Sequence, residues 1–182
     1  MKLINGIRSL LYFKVPKFLS AINNLRSVST VKARGLRFKL VSDNWITKFR
    51  ARTFNEKEPK MLDWLDNNLR SNDVFFDIGA NVGIYSVYAA KREPQSMVYA
   101  FEPEYSNLHL LKQNIINNNL LDNIICYSIA LNNKTGISYL HIQDVTPGAA
   151  LATVSSDNLK KTATGHLVIF KEGISIMTID DF

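Results

Sequence analysis

The sequence has a single cysteine, Cys126, among its 182 residues. One thiol excludes an intramolecular disulfide framework and a zinc site built from cysteines, and we expect no metal centre. Cys126 lies within an apolar run, which favours a buried structural thiol over a reactive one. The lack of structural disulfides is consistent with a reducing compartment, so we expect a cytoplasmic protein.

The sequence also lacks an apolar run of the roughly 18 residues that a membrane-spanning helix needs. Residues 1–42 contain no acid, yet they carry nine of the 22 lysines and arginines. The rest of the chain has 13 basic and 16 acidic residues, so the net charge of +6 originates in the N-terminal segment. We therefore predict a basic N-terminal extension over residues 1–55 and an α/β domain with one core over residues 56–182.

The start of the extension, residues 2–26, combines apolar residues at helical spacing with basic residues, and Pro16 predicts a kink. Two interpretations stay open. The segment packs on its own domain or on a partner, or it lies peripherally at an anionic membrane surface. Lys14 and Lys17 interrupt the apolar stretch and no clear cleavage site follows, which disfavours a signal peptide.

The end of the extension is predicted to be a β-hairpin. Residues 36–40 alternate apolar with basic, residues 43–44 suggest a turn, and residues 45–49 suggest a partner strand. Basic residues beside aromatic ones also occur in readers of single-stranded nucleic acid. A solvated hairpin face explains the pattern more simply, so nucleic acid is not an expected partner. A helix is predicted next, over residues 56–69.

The most informative stretch begins with an apolar strand from Val74 that ends at Asp77 and a glycine turn. The spacing Gly79-x-Asn81-x-Gly83 differs from the G-x-G-x-x-G of a dinucleotide turn, which disfavours an NAD-dependent oxidoreductase. A carboxylate at the strand end is a poor companion for a pyrophosphate. It suits the ammonium group of S-adenosylmethionine, which has no phosphate.

The remaining features of this turn fit the same ligand. Gly79 and Gly83 permit positive φ angles and a close approach of the backbone, and the helix starting near Val82 points its N-terminus at the methionine carboxylate. A plain strand–turn–helix junction with a capping side chain is the alternative. Glu102 weakens it, because this acid follows the next predicted strand, residues 97–101, and suits both ribose hydroxyls.

Two motifs, FDIGANVG at residues 76–83 and AFEP at residues 100–103, resemble the FkbM family of class I, S-adenosylmethionine-dependent methyltransferases. The resemblance covers residues 56–182 and ends at TIDDF, residues 178–182. It implies a Rossmann-like α/β sandwich that is incomplete here. The chain holds the first three core strands and a β-hairpin excursion, preceded by the helix and β-hairpin of the extension.

The resemblance also implies the site. It places Ile129 and Ala130, after a strand over residues 124–129, around the adenine of S-adenosylmethionine. The common acidic adenine contact is missing there, so backbone and apolar contacts are expected. The cofactor-binding candidates are Asp77, Gly79, Asn81, Gly83, Glu102, Ile129 and Ala130.

The implied activity is O-methyl transfer to a hydroxyl of a sugar, natural product or similar small acceptor. In the family, a fourth core strand with an acidic end follows the motif at residues 178–182. We therefore expect a fragment that lacks the catalytic half, or a chain completed by a partner, and we assign no catalytic residue. The polar loop 143–165 is predicted to be an active-site flap. Structural roles are favoured for His141 and His166, which flank it.

A second class of function stays open beside this one. The basic first 42 residues suit a non-catalytic binding module that acts at a membrane surface or on nucleic acid.

Overall fold

Residues 27–182 are described by a computed structural model. The amphipathic segment predicted at residues 2–26 lies outside these residues. Within residues 27–182, no helix has the length and apolar character needed to cross a membrane.

The chain begins with an antiparallel hairpin of β1 (Val28–Ala33) and β2 (Leu36–Val41). The strand predicted over residues 36–40 is confirmed, but its partner is the preceding strand. The turn between them places Arg34 and Gly35 at positive φ angles of 47° and 84°. The basic residues of β2 are exposed while Phe38 and Leu40 are buried, as the solvated-face interpretation predicts.

The prediction of a strand over residues 45–49 is wrong, because this segment forms helix α1 (Trp45–Arg52). A capping box explains the difference. The Asn44 side chain accepts a hydrogen bond from the Thr47 N–H at 2.9 Å, and the Thr47 hydroxyl accepts one from the Asn44 N–H at 3.2 Å. These bonds satisfy N–H groups that the start of a helix leaves free.

Two further helices follow, α2 (Phe54–Lys57) and α3 (Pro59–Asn68). They confirm the helix predicted at residues 56–69, although it is interrupted at Glu58. Pro59 occupies the first turn of α3, where a missing N–H costs nothing. The apolar stripe of α3 is buried in the core, with Leu62 and Leu65 fully inaccessible.

The central sheet consists of three parallel strands, in the order β3 (Val74–Ile78), β4 (Met97–Phe101) and β5 (Ile124–Tyr127). Helices α4 (Ile84–Arg92) and α5 (Tyr105–Asn117) connect consecutive strands. The predicted β–α–β–α–β order is confirmed. The register pairs Asp77 with Ala100 and Ile78 with Phe101, so the carboxyl ends of β3 and β4 lie side by side.

The hairpin packs on the outer side of the helices and joins the same hydrophobic core. Asn114 of α5 is fully buried, and its Oδ1 accepts a hydrogen bond from the Val41 N–H at 2.7 Å. The apolar spacing of this helix predicts that Ile116 is buried with its neighbours. That prediction is wrong, since Ile116 lies on another face of the helix and half of its surface is exposed.

The other face of the central sheet carries aromatic side chains. Phe76, Tyr99, Phe101 and Tyr127 project there from the three strands, and the Phe182 ring packs on all four. The shortest of these contacts joins the ring centroids of Tyr127 and Phe182 at 4.8 Å.

A second sheet follows, in the order β6 (Ala130–Leu131), β9 (Phe170–Met177), β7 (Gly136–Ile142) and β8 (Thr153–Ser155). The alternation of residues 137–142 predicts a strand, which β7 confirms. The apolar residues at 166–170 and 173–177 predict two further strands, and this prediction is wrong because β9 runs through Gly173 as one strand. This glycine pairs with Tyr139, and a methyl group in its place would meet no atom within 4 Å. The pairing of β9 with β7 is therefore continuous through Gly173.

Candidate functional site

A cavity of about 530 Å³ opens at the carboxyl ends of β3 and β4. Its size is typical of small-molecule sites. Six of the seven residues predicted to contact the cofactor line it: Asp77, Gly79, Asn81, Glu102, Ile129 and Ala130. Gly83, the seventh, does not.

Asp77 projects from β3 towards α4 and lies at the base of the cavity. The Ser86 hydroxyl donates a hydrogen bond to Asp77 Oδ2. The carboxylate is buried, with 8% of the residue exposed, and this burial raises its pKa above the ordinary value. A buried acid that keeps acceptor capacity at a cavity wall suits a cationic or hydrogen-bond-donating ligand.

Glu102 follows β4 and joins two segments of backbone. Its Oε2 accepts a hydrogen bond from the Asn81 N–H at 2.7 Å, and its Oε1 accepts one from the Glu104 N–H at 2.8 Å. Burial raises the pKa of Glu102 to about 7, although these two donors favour the charged form. The Asn107 side chain is a further donor near Glu102, and the two carboxylate oxygens keep acceptor capacity for a ligand.

The turn after β3 is fixed to the neighbouring strand. The N–H groups of Gly79 and Ala80 both donate to the Phe101 carbonyl, at 2.9 and 3.0 Å. Gly79 has a φ of +74°, and a methyl group there would meet no atom within 4 Å. The backbone at Gly79 is therefore open to a ligand.

Gly83 has the same φ of +74° but a different role. A methyl group at Gly83 would lie 2.0 Å from the Leu111 Cδ1 atom of α5. The glycine therefore permits α4 and α5 to pack closely. Its role is in helix packing and not in lining the cavity.

The loop between β7 and β8 lines the cavity through residues 149–152 and includes a strap, defined here as residues 147–149. The carbonyl of Pro147 accepts a hydrogen bond from the Asn44 side chain at 2.9 Å. The Gly148 carbonyl accepts one from Arg50 at 2.8 Å, and the Ala149 carbonyl accepts one from the Asn81 side chain at 2.6 Å. The Gly148 N–H, at the centre of the strap, donates to Asn107 Oδ1 at 2.7 Å. The loop predicted to be a flap is thus fastened to α1, the β3 turn and α5.

Three of the cavity residues that sequence reasoning missed carry polar or charged groups important to the site: Arg50, Glu58 and Tyr85. Burial lowers the pKa of the Arg50 guanidinium, while the negative charges of Glu58 and Glu102 oppose that shift. The signal that could have found Arg50 is the helical spacing of Ile46 and Arg50, which places both on the inner face of α1.

Tyr85 presents its hydroxyl at the cavity wall. The Oη atom is buried and has no partner within normal hydrogen-bond distance among residues 27–182, although the Glu58 carboxylate is near enough to interact with it. Burial is the main cause that raises the pKa of Tyr85, and the Glu58 carboxylate adds to it. Because this hydroxyl also faces the cavity, it is available to a polar atom of a ligand.

A second groove of about 390 Å³ lies on the other side of the strap. It shares residues 149–151, Arg50 and Lys57 with the main cavity. Its floor includes the exposed rings of Trp45 and Phe49, which are 69% and 51% accessible.

The remaining candidate side chains lie away from the main cavity. His141 is fully buried in β7, with no partner for either ring nitrogen among residues 27–182. His166 lines the second groove. Cys126 is a free, half-buried thiol whose pKa burial raises to about 11, so it is a weak nucleophile at neutral pH. In the described part of the chain, no cluster of three His, Cys, Asp or Glu side chains could hold a metal.

Parallel strands joined by helices, with acids at adjacent strand ends beside a cavity, define a Rossmann-like fold of the class I methyltransferase type. The sequence profile of the methyltransferase FkbM domain matches residues 77–182, more than half of the chain. The chain belongs to this family.

Among characterised relatives, methyltransferase sdnD of Sordaria araneosa is 33% identical over 69 residues. This alignment spans 38% of the chain and 27% of the relative. Partial structural similarity extends to M. jannaschii TYW2 in complex with AdoMet (TM-score 0.41, 20% identity, 61% of this chain and 53% of that one). It extends also to the M. jannaschii tRNA m1G37 methyltransferase (TM-score 0.39, 27% identity, 60% and 34%).

Proposed function

We propose that the chain binds S-adenosylmethionine in the main cavity and forms the cofactor-binding part of an O-methyltransferase. One observation carries the proposal. Asp77 and Glu102 end neighbouring parallel strands and line a single cavity of about 530 Å³. A family whose domain transfers methyl groups supplies the chemical context.

The chemistry of the cavity fits this cofactor along its length. Asp77 suits the ammonium of the methionine part, and the free lone pairs of Glu102 suit the ribose diol. The far wall is apolar, with Ile129, Leu140 and Val154, and suits the flat adenine ring. The Tyr85 hydroxyl is a donor that a polar ligand atom would satisfy.

The bound cofactor would supply an electrophilic methyl group on a sulfonium. That methyl group would be available for transfer to an acceptor hydroxyl, whose proton would pass to a base or to water. In this scheme Asp77 and Glu102 bind and orient the cofactor, and neither transfers the proton. The strap is anchored by Arg50 and Asn81 at the edge of the cavity, where it would help to hold the bound cofactor in place.

The second groove is the proposed entry for a small acceptor with a hydroxyl group. It adjoins the main cavity through residues 149–151. The Trp45 and Phe49 rings offer an apolar platform, and Gln143 and Asp144 offer hydrogen-bonding groups at its rim. The chain matches 27% of the length of methyltransferase sdnD.

Isothermal titration calorimetry with S-adenosylhomocysteine tests the cofactor proposal. We expect one binding site per chain, with affinity reduced about 10-fold or more in Asp77→Asn and in Glu102→Gln. Asp144→Asn is the control, because this acid lies on the second groove and not on the main cavity. No binding by the parent chain, or equal binding by all variants, would contradict the proposal.

A further inference from the structure

We propose that Arg50 is the receptor for the amino-acid carboxylate of the cofactor. The proposal rests on the proposed function and adds a residue from outside the family domain, which matches residues 77–182. It makes helix α1 of the N-terminal extension a working part of the cofactor site.

The position of Arg50 supports this role. It lies in the last turn of α1 and lines the main cavity. Its Nε donates to the central carbonyl of the strap at 2.8 Å, which holds the planar guanidinium in one orientation. The two terminal nitrogens are left to form the paired hydrogen bonds that an arginine makes with a carboxylate.

Because much of the cavity is acidic, a ligand carboxylate needs a positively charged side chain there. Asp77, Glu58 and Glu102 make one wall acidic, which suits an ammonium and repels a carboxylate. Among the described residues that line the cavity, Arg50 and Lys57 are the positively charged ones. Lys57 is exposed and lies 4.0 Å from a Glu58 oxygen.

The Arg50 guanidinium feels the charges of Glu58 and Glu102 but has no direct ionic partner among residues 27–182. Burial desolvates the guanidinium and lowers its pKa. An arginine stays protonated under these conditions. A desolvated, unpaired cation is costly, and a bound carboxylate would offset that cost.

The sequence suggested a helix start near Val82 as the carboxylate site, but α4 begins two residues later, at Ile84. The Val82 N–H donates to the Asn81 side chain at 2.9 Å, and the Gly83 N–H donates to the Ala80 carbonyl at 2.8 Å. These amides are committed within the turn, and neither residue lines the cavity.

A comparison of two ligands isolates the contribution of the carboxylate to binding. S-adenosylhomocysteine carries the carboxylate and the ammonium, while its decarboxylated analogue keeps the ammonium and the adenosine. We expect Arg50→Gln to weaken S-adenosylhomocysteine about 10- to 100-fold in calorimetry and to change binding of the analogue by less than about twofold. Arg50→Lys keeps the positive charge but lacks the paired terminal nitrogens of the guanidinium, so we expect an intermediate loss of affinity.

The matched control is Arg52→Gln, which removes an exposed arginine from the same helix. It should bind both ligands as the parent chain does. Thermal melting of each variant verifies that it folds. If Arg50→Gln weakened both ligands equally, or neither, the assignment of Arg50 would be overturned. If the parent chain bound neither ligand, the proposed cofactor itself would fail.

Discussion

Glu102 Oε2 accepts a hydrogen bond from the backbone N–H of Asn81 at 2.7 Å. The acid after one strand thereby holds the turn after the neighbouring strand. Asn81 has a φ of +53°, and its side chain donates to the strap, so the acid, the turn and the strap form one connected unit. Changes at any of these three parts should alter the others.

The first prediction concerns the effect of pH on stability. Burial raises the folded-state pKa of Glu102 from 4.5 to about 7, so the folded state resists its ionisation. Protonated Glu102 therefore stabilises the folded state. This stabilisation is fully present below pH 4.5 and is lost as pH rises to about 7, a change of about 3 kcal/mol in the free energy of unfolding. Asp77, whose pKa is also raised, adds a loss of the same sign.

Urea denaturation of the parent chain and of Glu102→Gln at pH 5 and pH 8 measures this effect. The variant should lose less stability between the two pH values than the parent chain does. An identical pH dependence in both proteins would show that Glu102 ionises normally in the folded state.

The second prediction separates two glycines with the same backbone angle. Gly83→Ala should cost about 2–4 kcal/mol of unfolding free energy, because it adds a clash with Leu111 to the backbone strain. Gly79→Ala has the strain without the clash and should cost about 1 kcal/mol. Chemical denaturation of both variants measures the difference, and equal losses would contradict the packing role of Gly83.

The third prediction concerns the strap. Asn107→Ala removes the acceptor of the central strap N–H and should free the loop while the core stays folded. Limited proteolysis should cut within residues 143–165 several-fold faster than in the parent chain. Gln113→Ala, in the same helix, is the control. Unchanged cleavage in Asn107→Ala would mean that the strap does not depend on this bond.

The fourth prediction concerns Asn114, which joins the hairpin to the cofactor turn. Its Oδ1 accepts from the Val41 N–H, and its Nδ2 donates to the Val82 carbonyl at 2.8 Å. Asn114→Ala leaves these two buried backbone groups without a hydrogen-bond partner and should lower the free energy of unfolding by about 2–4 kcal/mol. Denaturation measures the loss, and the exposed Lys112→Ala of the same helix should cost little. A loss below about 0.5 kcal/mol in Asn114→Ala would contradict the bridging role.

The central elements could be predicted because their signals are local. The strand before Asp77 and the strand before Glu102 are apolar runs with clear ends, and the intervening helix has regular spacing. The predicted strand at residues 45–49 failed because Trp, Ile, Thr and Phe favour strands by propensity. The capping box at Asn44 overrode that propensity.

The rest of the site depends on contacts between distant residues. The strap bonds join residues separated by 41 to 103 positions, and no local pattern encodes them. Arg50 reaches the cavity only because α1 packs against the strap. The pair of acids could be predicted from strand topology, but the N-terminal wall of the cavity could not.

A crystal structure of the chain with S-adenosylhomocysteine tests the central claim most directly. We expect both ribose hydroxyls within hydrogen-bonding distance of Glu102, the ammonium beside Asp77 and the adenine against Ile129 and Leu140. A ligand bound elsewhere on the chain, or one with its ribose turned away from Glu102, would contradict the account.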